Sequence, residues 1–137
     1  MAAKIRKVEY FYAGVQDTPG EGHRFLAALA GEGVNLVAFT AIPVGPGNTQ
    51  FALFVDDALQ IKAAAERAKV QLSDPQHAIL VQGDDELGAL ASIHQRLAEA
   101  DVNVFASTGV TDGRGGFGYV VHLRPEDMEK AGRALGL

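Results

Sequence analysis

Apolar positions come in short β-branched or aromatic bursts, separated by stretches in which they recur at helical spacing. Residues 8–13 (VEYFYA) have the make-up of a strand. Residues 14–22 (GVQDTPGEG) hold too many turn formers to be anything but a loop. Phe25, Leu26 and Leu29 then stand at helical spacing, and Gly31 and Gly33 supply the stop. Residues 34–44 and 49–55 read as strands flanking the turn GPGN at 45–48. Asp56 and Asp57 can cap a second helix carrying Leu59, Ile61, Ala64, Ala65 and Ala68. Residues 70–72 leave room for a short closing strand.

The same order then returns. Residues 77–82 (HAILVQ) form a strand and 83–86 (GDDE) its loop, while Leu90, Ile93 and Leu97 mark a helix. Residues 102–110 and 117–123 flank the turn TDGRGG at 111–116, and Pro125 opens a last helix with Met128, Ala131 and Leu135 on its apolar stripe. Slid by 68 residues without a gap, the chain gives 12 identities over 65 pairs. Asp17 falls on Asp85, Gly20 on Gly88, Val34–Asn35 on Val102–Asn103, and Gly45 and Gly47 on Gly113 and Gly115. The identities concentrate at turns, which marks a duplicated unit. The expected repeats are residues 1–73 and 74–137, and the second has no counterpart of the closing strand.

Two helices per unit with antiparallel strands between them predict an α+β sandwich, with the helices on one face of each sheet. The strands are apolar on both sides. In residues 8–12, Val8, Tyr10 and Tyr12 face one way and Phe11 the other, and in residues 51–55 Phe54 opposes Leu53. Such strands are usually covered on both faces. A second subunit is the economical cover, so a homodimer or higher homo-oligomer is expected.

Composition removes several classes of function. Of 137 residues, 47% are hydrophobic and 21% charged, a globular balance. Lys and Arg total 12 against 17 Asp and Glu, so the net charge of −5 offers no basic surface and nucleic acid is not an expected partner. Cysteine is absent, which excludes disulfides, thiolate nucleophiles and Cys-based metal sites. No run approaches a membrane span, and the start MAAKIRKVEYFY lacks the apolar stretch of a signal peptide, so a soluble cytoplasmic protein is expected.

The arrangement of Tyr10 and Tyr12, Asp17-Thr-Pro-Gly20, an apolar helix, Gly33-Val-Asn-Leu36 and a Gly-rich hairpin resembles an ACT domain. Asp85-Glu-Leu-Gly88 with Asp101-Val-Asn-Val104 resembles another, so the resemblance covers residues 5–137. It implies two ferredoxin-like βαββαβ modules, the second lacking its last strand. It also implies a non-enzymatic regulatory protein that binds a free amino acid or related small metabolite, and a regulated metabolic enzyme as a partner. Carried over by position, the implied ligand-binding residues are Asp17, Pro19, Gly20, Asn35 and Leu36, with Asp85, Gly88 and Asn103 in the second repeat. The second site departs from the pattern at Leu87, which replaces Pro19, and is expected to be the weaker.

Chemistry supports the transfer in part. Backbone N–H groups at a helix start suit a carboxylate, glycine lets the ligand approach, an Asp suits an ammonium, and an Asn both donates and accepts. The plainer alternative is that Asp17 and Asp85 cap a turn or helix and that Asn35 and Asn103 are turn residues at strand entry.

Other signals lead elsewhere. Gly113–Gly118 matches G-x-G-x-x-G, but a strand follows it where a dinucleotide site needs a helix, so it reads as a hairpin turn. His23, His77, His94 and His122 share no metal-ligand spacing, and the acids at 56–57 and 84–86 each precede a helix. No cofactor or metal is therefore expected. A duplicated metal-dependent small-molecule enzyme and a dimerisation module without ligand stand as the alternatives.

Overall fold

The first strand, β1 (Lys4–Gln16), is twice as long as the aromatic burst that marks it. The structure, a computed structural model, describes residues 3–137; Met1 and Ala2, the start of the stretch weighed as a leader, lie outside the described residues. After β1 come α1 (Glu21–Gly31), β2 (Leu36–Pro43), β3 (Asn48–Val55), α2 (Ala58–Ala68) and β4 (Gln76–Asp84). Then follow α3 (Ala89–Glu99), β5 (Ala106–Thr111), β6 (Gly116–His122), a single 3-10 turn (Pro125–Asp127) and α4 (Met128–Ala134). Among the described residues no helix is long and apolar enough to cross a membrane.

The chain divides into two compact units, one of Glu9–Gln76 and the other of His77–Leu137 together with residues 3–8. β1 is therefore shared: its second half belongs to the first unit and its first half to the second. In the first unit β3 lies between β2 and β1, antiparallel to both, with Phe11 opposite Leu53 and Thr40 opposite Ala52. The anticipated closing strand is reduced to one bridge, Ala13 to Leu72, backed by the Ser73 hydroxyl accepting from the Tyr12 N–H at 2.9 Å. In the second unit β6 lies between β5 and β4, with Leu80 opposite Val120 and Thr108 opposite Val120. On the other side of β4 stands β1, so residues 4–8 take the slot left by the strand this repeat lacks. Ile5 and Ala3 pack against its core accordingly.

The cores repeat position by position. Phe11, Ala13, Phe25, Leu29, Phe51, Leu53 and Val55 fill the first, and Ile79, Val81, Ile93, Leu97, Tyr119, Val121 and Leu123 fill the second, each 68 residues on. The gapless register ends there. The buried face of α2 is Ile61, Ala64, Ala65 and Ala68, whereas that of α4 is Met128, Ala131, Gly132 and Leu135, which is 67 residues on. The second repeat is one residue shorter ahead of its last helix, so Lys130–Ala131, which the 68-residue shift sets on an identical Lys62–Ala63, does not occupy the equivalent place. The cap of α2 is the anticipated one, with the Asp57 carboxylate accepting from the Leu59 N–H at 2.9 Å.

On the strand face turned away from the helices, Tyr10 and Phe54 are buried within the chain itself. Tyr10 is 4% exposed and Phe54 0%, their rings stacked at 4.6 Å. Burial and the neighbouring Tyr12 hydroxyl push the Tyr10 phenol well above its ordinary range. These residues, offered above as the reason for a second subunit, need none.

Candidate functional site

Both strand-to-helix loops have the same construction. The N-cap residues are glycines in the left-handed region, Gly20 at φ 91° and Gly88 at φ 84°, a conformation that a side chain would strain. The Asp17 N–H donates to the Gly47 carbonyl at 2.9 Å and the Asp85 N–H to the Gly115 carbonyl at 2.8 Å. Each loop is thereby pinned through backbone groups to the hairpin turn of its own repeat, and the recurring glycines at 20 and 88 and at 47 and 115 supply the left-handed positions this construction needs. No side chain caps α1 or α3. Among the described residues the carboxylates of Asp17 and Asp85 make no hydrogen bond or ion pair, so the capping alternative does not describe them.

In the second repeat the loop forms one end of a groove of about 680 Å3. The first turn of α3 makes one wall, β5 at Gly109, Val110 and Thr111 the other, and Phe117 lies at the start of β6. Of the carried-over residues, Asp85 and Gly88 line this groove, as does Leu87. Asn103 does not; it is exposed in the connection between α3 and β5. In the first repeat Asp17, Pro19 and Gly20 share one exposed loop. Asn35 is exposed just ahead of β2, and Leu36 is half-buried against the core. The groove thus opens at the repeat whose loop departs from the pattern, and the strand slot that counted against that repeat is filled by residues 4–8.

Differences between the repeats concentrate behind this wall. In the first, Phe51 packs between Phe25, with ring centroids 6.1 Å apart, and Phe39, at 5.0 Å. At the positions of Phe51 and Phe39 the second repeat has Tyr119 and Ser107, and His94 replaces Leu26. The Tyr119 hydroxyl meets His94 Nε2 at 2.6 Å and donates to Ser107 Oγ at 2.8 Å. One phenol therefore ties α3 to β5, the two walls of the groove. Gly109 permits this, because a Cβ there would lie 2.9 Å from the Tyr119 ring. Neither Gly109 nor Tyr119 stands out in the sequence. The signal was in the repeat alignment, where a Phe becomes a Tyr as its neighbours become His and Ser.

Charge also differs. The first turn of α1 contains Glu21, paired with Arg24 at 3.2 Å, whereas the first turn of α3 contains no acid. The first turn of α3 thus adds no carboxylate of its own beside its open amides. The turn between β5 and β6 is closed by Asp112, whose carboxylate accepts from the Arg114 and Gly116 N–H groups at 2.6 and 3.0 Å. Those bonds hold its pKa below the usual range. This is the G-x-G-x-x-G segment, and it is a hairpin turn. Among the described residues no three His, Asp or Glu side chains gather as a metal site would require.

No family model and no curated protein matches the sequence. Solved structures do match in fold. A protein of Bacteroides thetaiotaomicron superposes with a TM-score of 0.80 at 17% identity, covering 96% of this chain and 88% of that one. The ligand-free regulatory subunit of aspartate kinase from Thermus thermophilus gives 0.67 at 19%, covering 98% and 94%. The aspartokinase alpha and beta subunit structure gives 0.64 at 18%, covering 98% and 95%. The chain has a tandem ACT fold. Its two units carry the expected antiparallel strands and helices of that fold, and the groove lies at the loop of the second unit.

Proposed function

We propose that this chain is a non-enzymatic regulatory protein that binds a free amino acid in the groove of the second repeat. The observation that carries the reading is the groove itself. It puts Asp85, whose carboxylate makes no hydrogen bond or ion pair among the described residues, beside the first turn of α3, which contains no acid of its own. An amino acid presents the complementary pair, with its carboxylate to the amides of α3 and its ammonium to Asp85. The fold shared with a regulatory subunit of aspartate kinase supports a role in controlling a metabolic enzyme. Asp17, Gly20 and Asn35 would form the corresponding, weaker site in the first repeat.

Assembly into a homodimer or higher homo-oligomer belongs to the same reading, and its support lies at the strand edges. β5 is exposed along its whole length, with Val110 72% and the preceding Phe105 57% exposed, and it carries no Lys, Pro or bulge to discourage pairing. β2 ends in Pro43 and is interrupted by a bulge between Leu36 and Ala38.

A thermal-shift screen of the twenty amino acids tests the proposal. A ligand at 100 times its Kd should add about 2.7 kcal/mol, a rise of several degrees for a chain of this size. Asp85→Ala should reduce the shift by more than Asp17→Ala does, with both variants folded. If no amino acid shifts the melting temperature, the dimerisation reading is favoured instead, with light scattering as its readout.

A further inference from the structure

The groove is chemically one-sided. Among the described residues its large inward side chains are Leu90 and Phe117, with the exposed Leu87 at the rim, its charged ones are Asp85 and Glu86, and none is Lys, Arg or His. The apolar groups come from both sides, because Leu90 stands on the first turn of α3 and Phe117 on the strand face that carries Tyr119. Glu86 already has an interaction of its own within the protein, so Asp85 is the one lining carboxylate without a partner.

We infer that the groove selects zwitterions with an uncharged, apolar side chain over those with acidic or basic ones. The inference rests on the reading of the groove as an amino-acid site and adds the class of side chain. Once the α-ammonium is paired with Asp85, no open carboxylate remains for a lysine side chain. Its charged end would either lose water beside Leu90 and Phe117 or turn out of the groove, and in neither case would it gain an ion pair from Asp85. An aspartate or glutamate side chain would meet the Asp85 and Glu86 carboxylates, and none of the described lining residues is a cation. An aliphatic side chain removes apolar surface from water on both sides at once, and each methylene so buried is worth about fourfold in affinity.

Calorimetry on the full chain with glycine, valine, leucine, lysine and aspartate separates the possibilities. Leucine is expected to bind at least tenfold more tightly than glycine, lysine or aspartate. Leu90→Asn places a polar group on a wall position that is 40% exposed, so the fold should survive while leucine affinity falls tenfold or more. Leu90→Val should lose about fourfold or less. Lysine or aspartate binding more tightly than leucine would overturn the side-chain class and leave the amino-acid reading standing. Leucine binding that is indifferent to Leu90→Asn would overturn the assignment to this groove. Failure of all five to bind would remove both readings together.

Discussion

At the scale of single residues, the second repeat differs from the first by a buried hydroxyl and a missing methyl. Tyr119 is 5% exposed and hydrogen-bonded at its tip to both His94 and Ser107, so its ring has no freedom to retreat. Gly109→Ala, which brings a Cβ to 2.9 Å from that ring, should therefore cost about 1–3 kcal/mol in chemical denaturation and weaken ligand binding. Gly118→Ala on the facing strand meets nothing within 4 Å and should stay within about 0.5 kcal/mol of wild type. A different residue governs pH dependence. Burial lowers the pKa of His122 below its usual 6.5. At neutral pH the ring is uncharged whether the chain is folded or not. As the pH falls below 6.5 the unfolded chain takes the proton first, so stability declines until the folded pKa is passed. Melting curves between about pH 7.5 and 5 should show this decline, and His122→Gln should flatten it.

At the scale of elements, helix ends show how a repeat tolerates the wrong residue. α1 and α3 finish alike: the Val34 N–H reaches the Leu29 carbonyl and the Val102 N–H the Leu97 carbonyl, both at 2.9 Å. The residue before each valine lies in the left-handed region, Gly33 at φ 76° and Asp101 at φ 59°. Glycine carries no penalty there, so Asp101→Gly should raise stability by about 1 kcal/mol and Gly33→Asp should lower it by a similar amount. Thermal denaturation of the two single variants checks both signs. Such periodic features were legible in advance. The helical stripes, the two hairpins, the Asp57 cap and the 68-residue register all follow from residues that local geometry demands. The loops at Asp17 and Asp85 were legible too, since the left-handed Gly20 and Gly88 leave a mark in sequence. The groove was not, because it depends on which side chains are small where two elements approach. The first half of β1 was hidden as well, since Lys4, Arg6 and Lys7 read as a solvated end while Ile5 and Val8 are the residues that pack inward.

At the scale of the molecule, that first half of β1 matters more than its length suggests. Ile5 is half-buried against the core of the second unit, so Ile5→Asp should destabilise that unit by about 1–3 kcal/mol. Hydrogen exchange should quicken in β4 and β6 while β2 and β3 keep their protection, and equal loss in both units would contradict the division at Val8. The shared strand also sets an order of events as the chain is made. Residues 9–76 form a compact unit whose core cluster lies within that span, so its assembly can begin as soon as they emerge. Residues 4–8 are synthesised before them but belong with β4, β6 and α4, which are synthesised after them. For that interval an apolar Ile5 and an unpaired strand edge are without their native neighbours, an opening for wrong pairings. Closing the gap joins segments about seventy residues apart, the kind of distant contact that slows folding. Nature's duplication made two similar halves, but joining them through one strand makes the later half wait for a piece of chain that has been ready since the beginning.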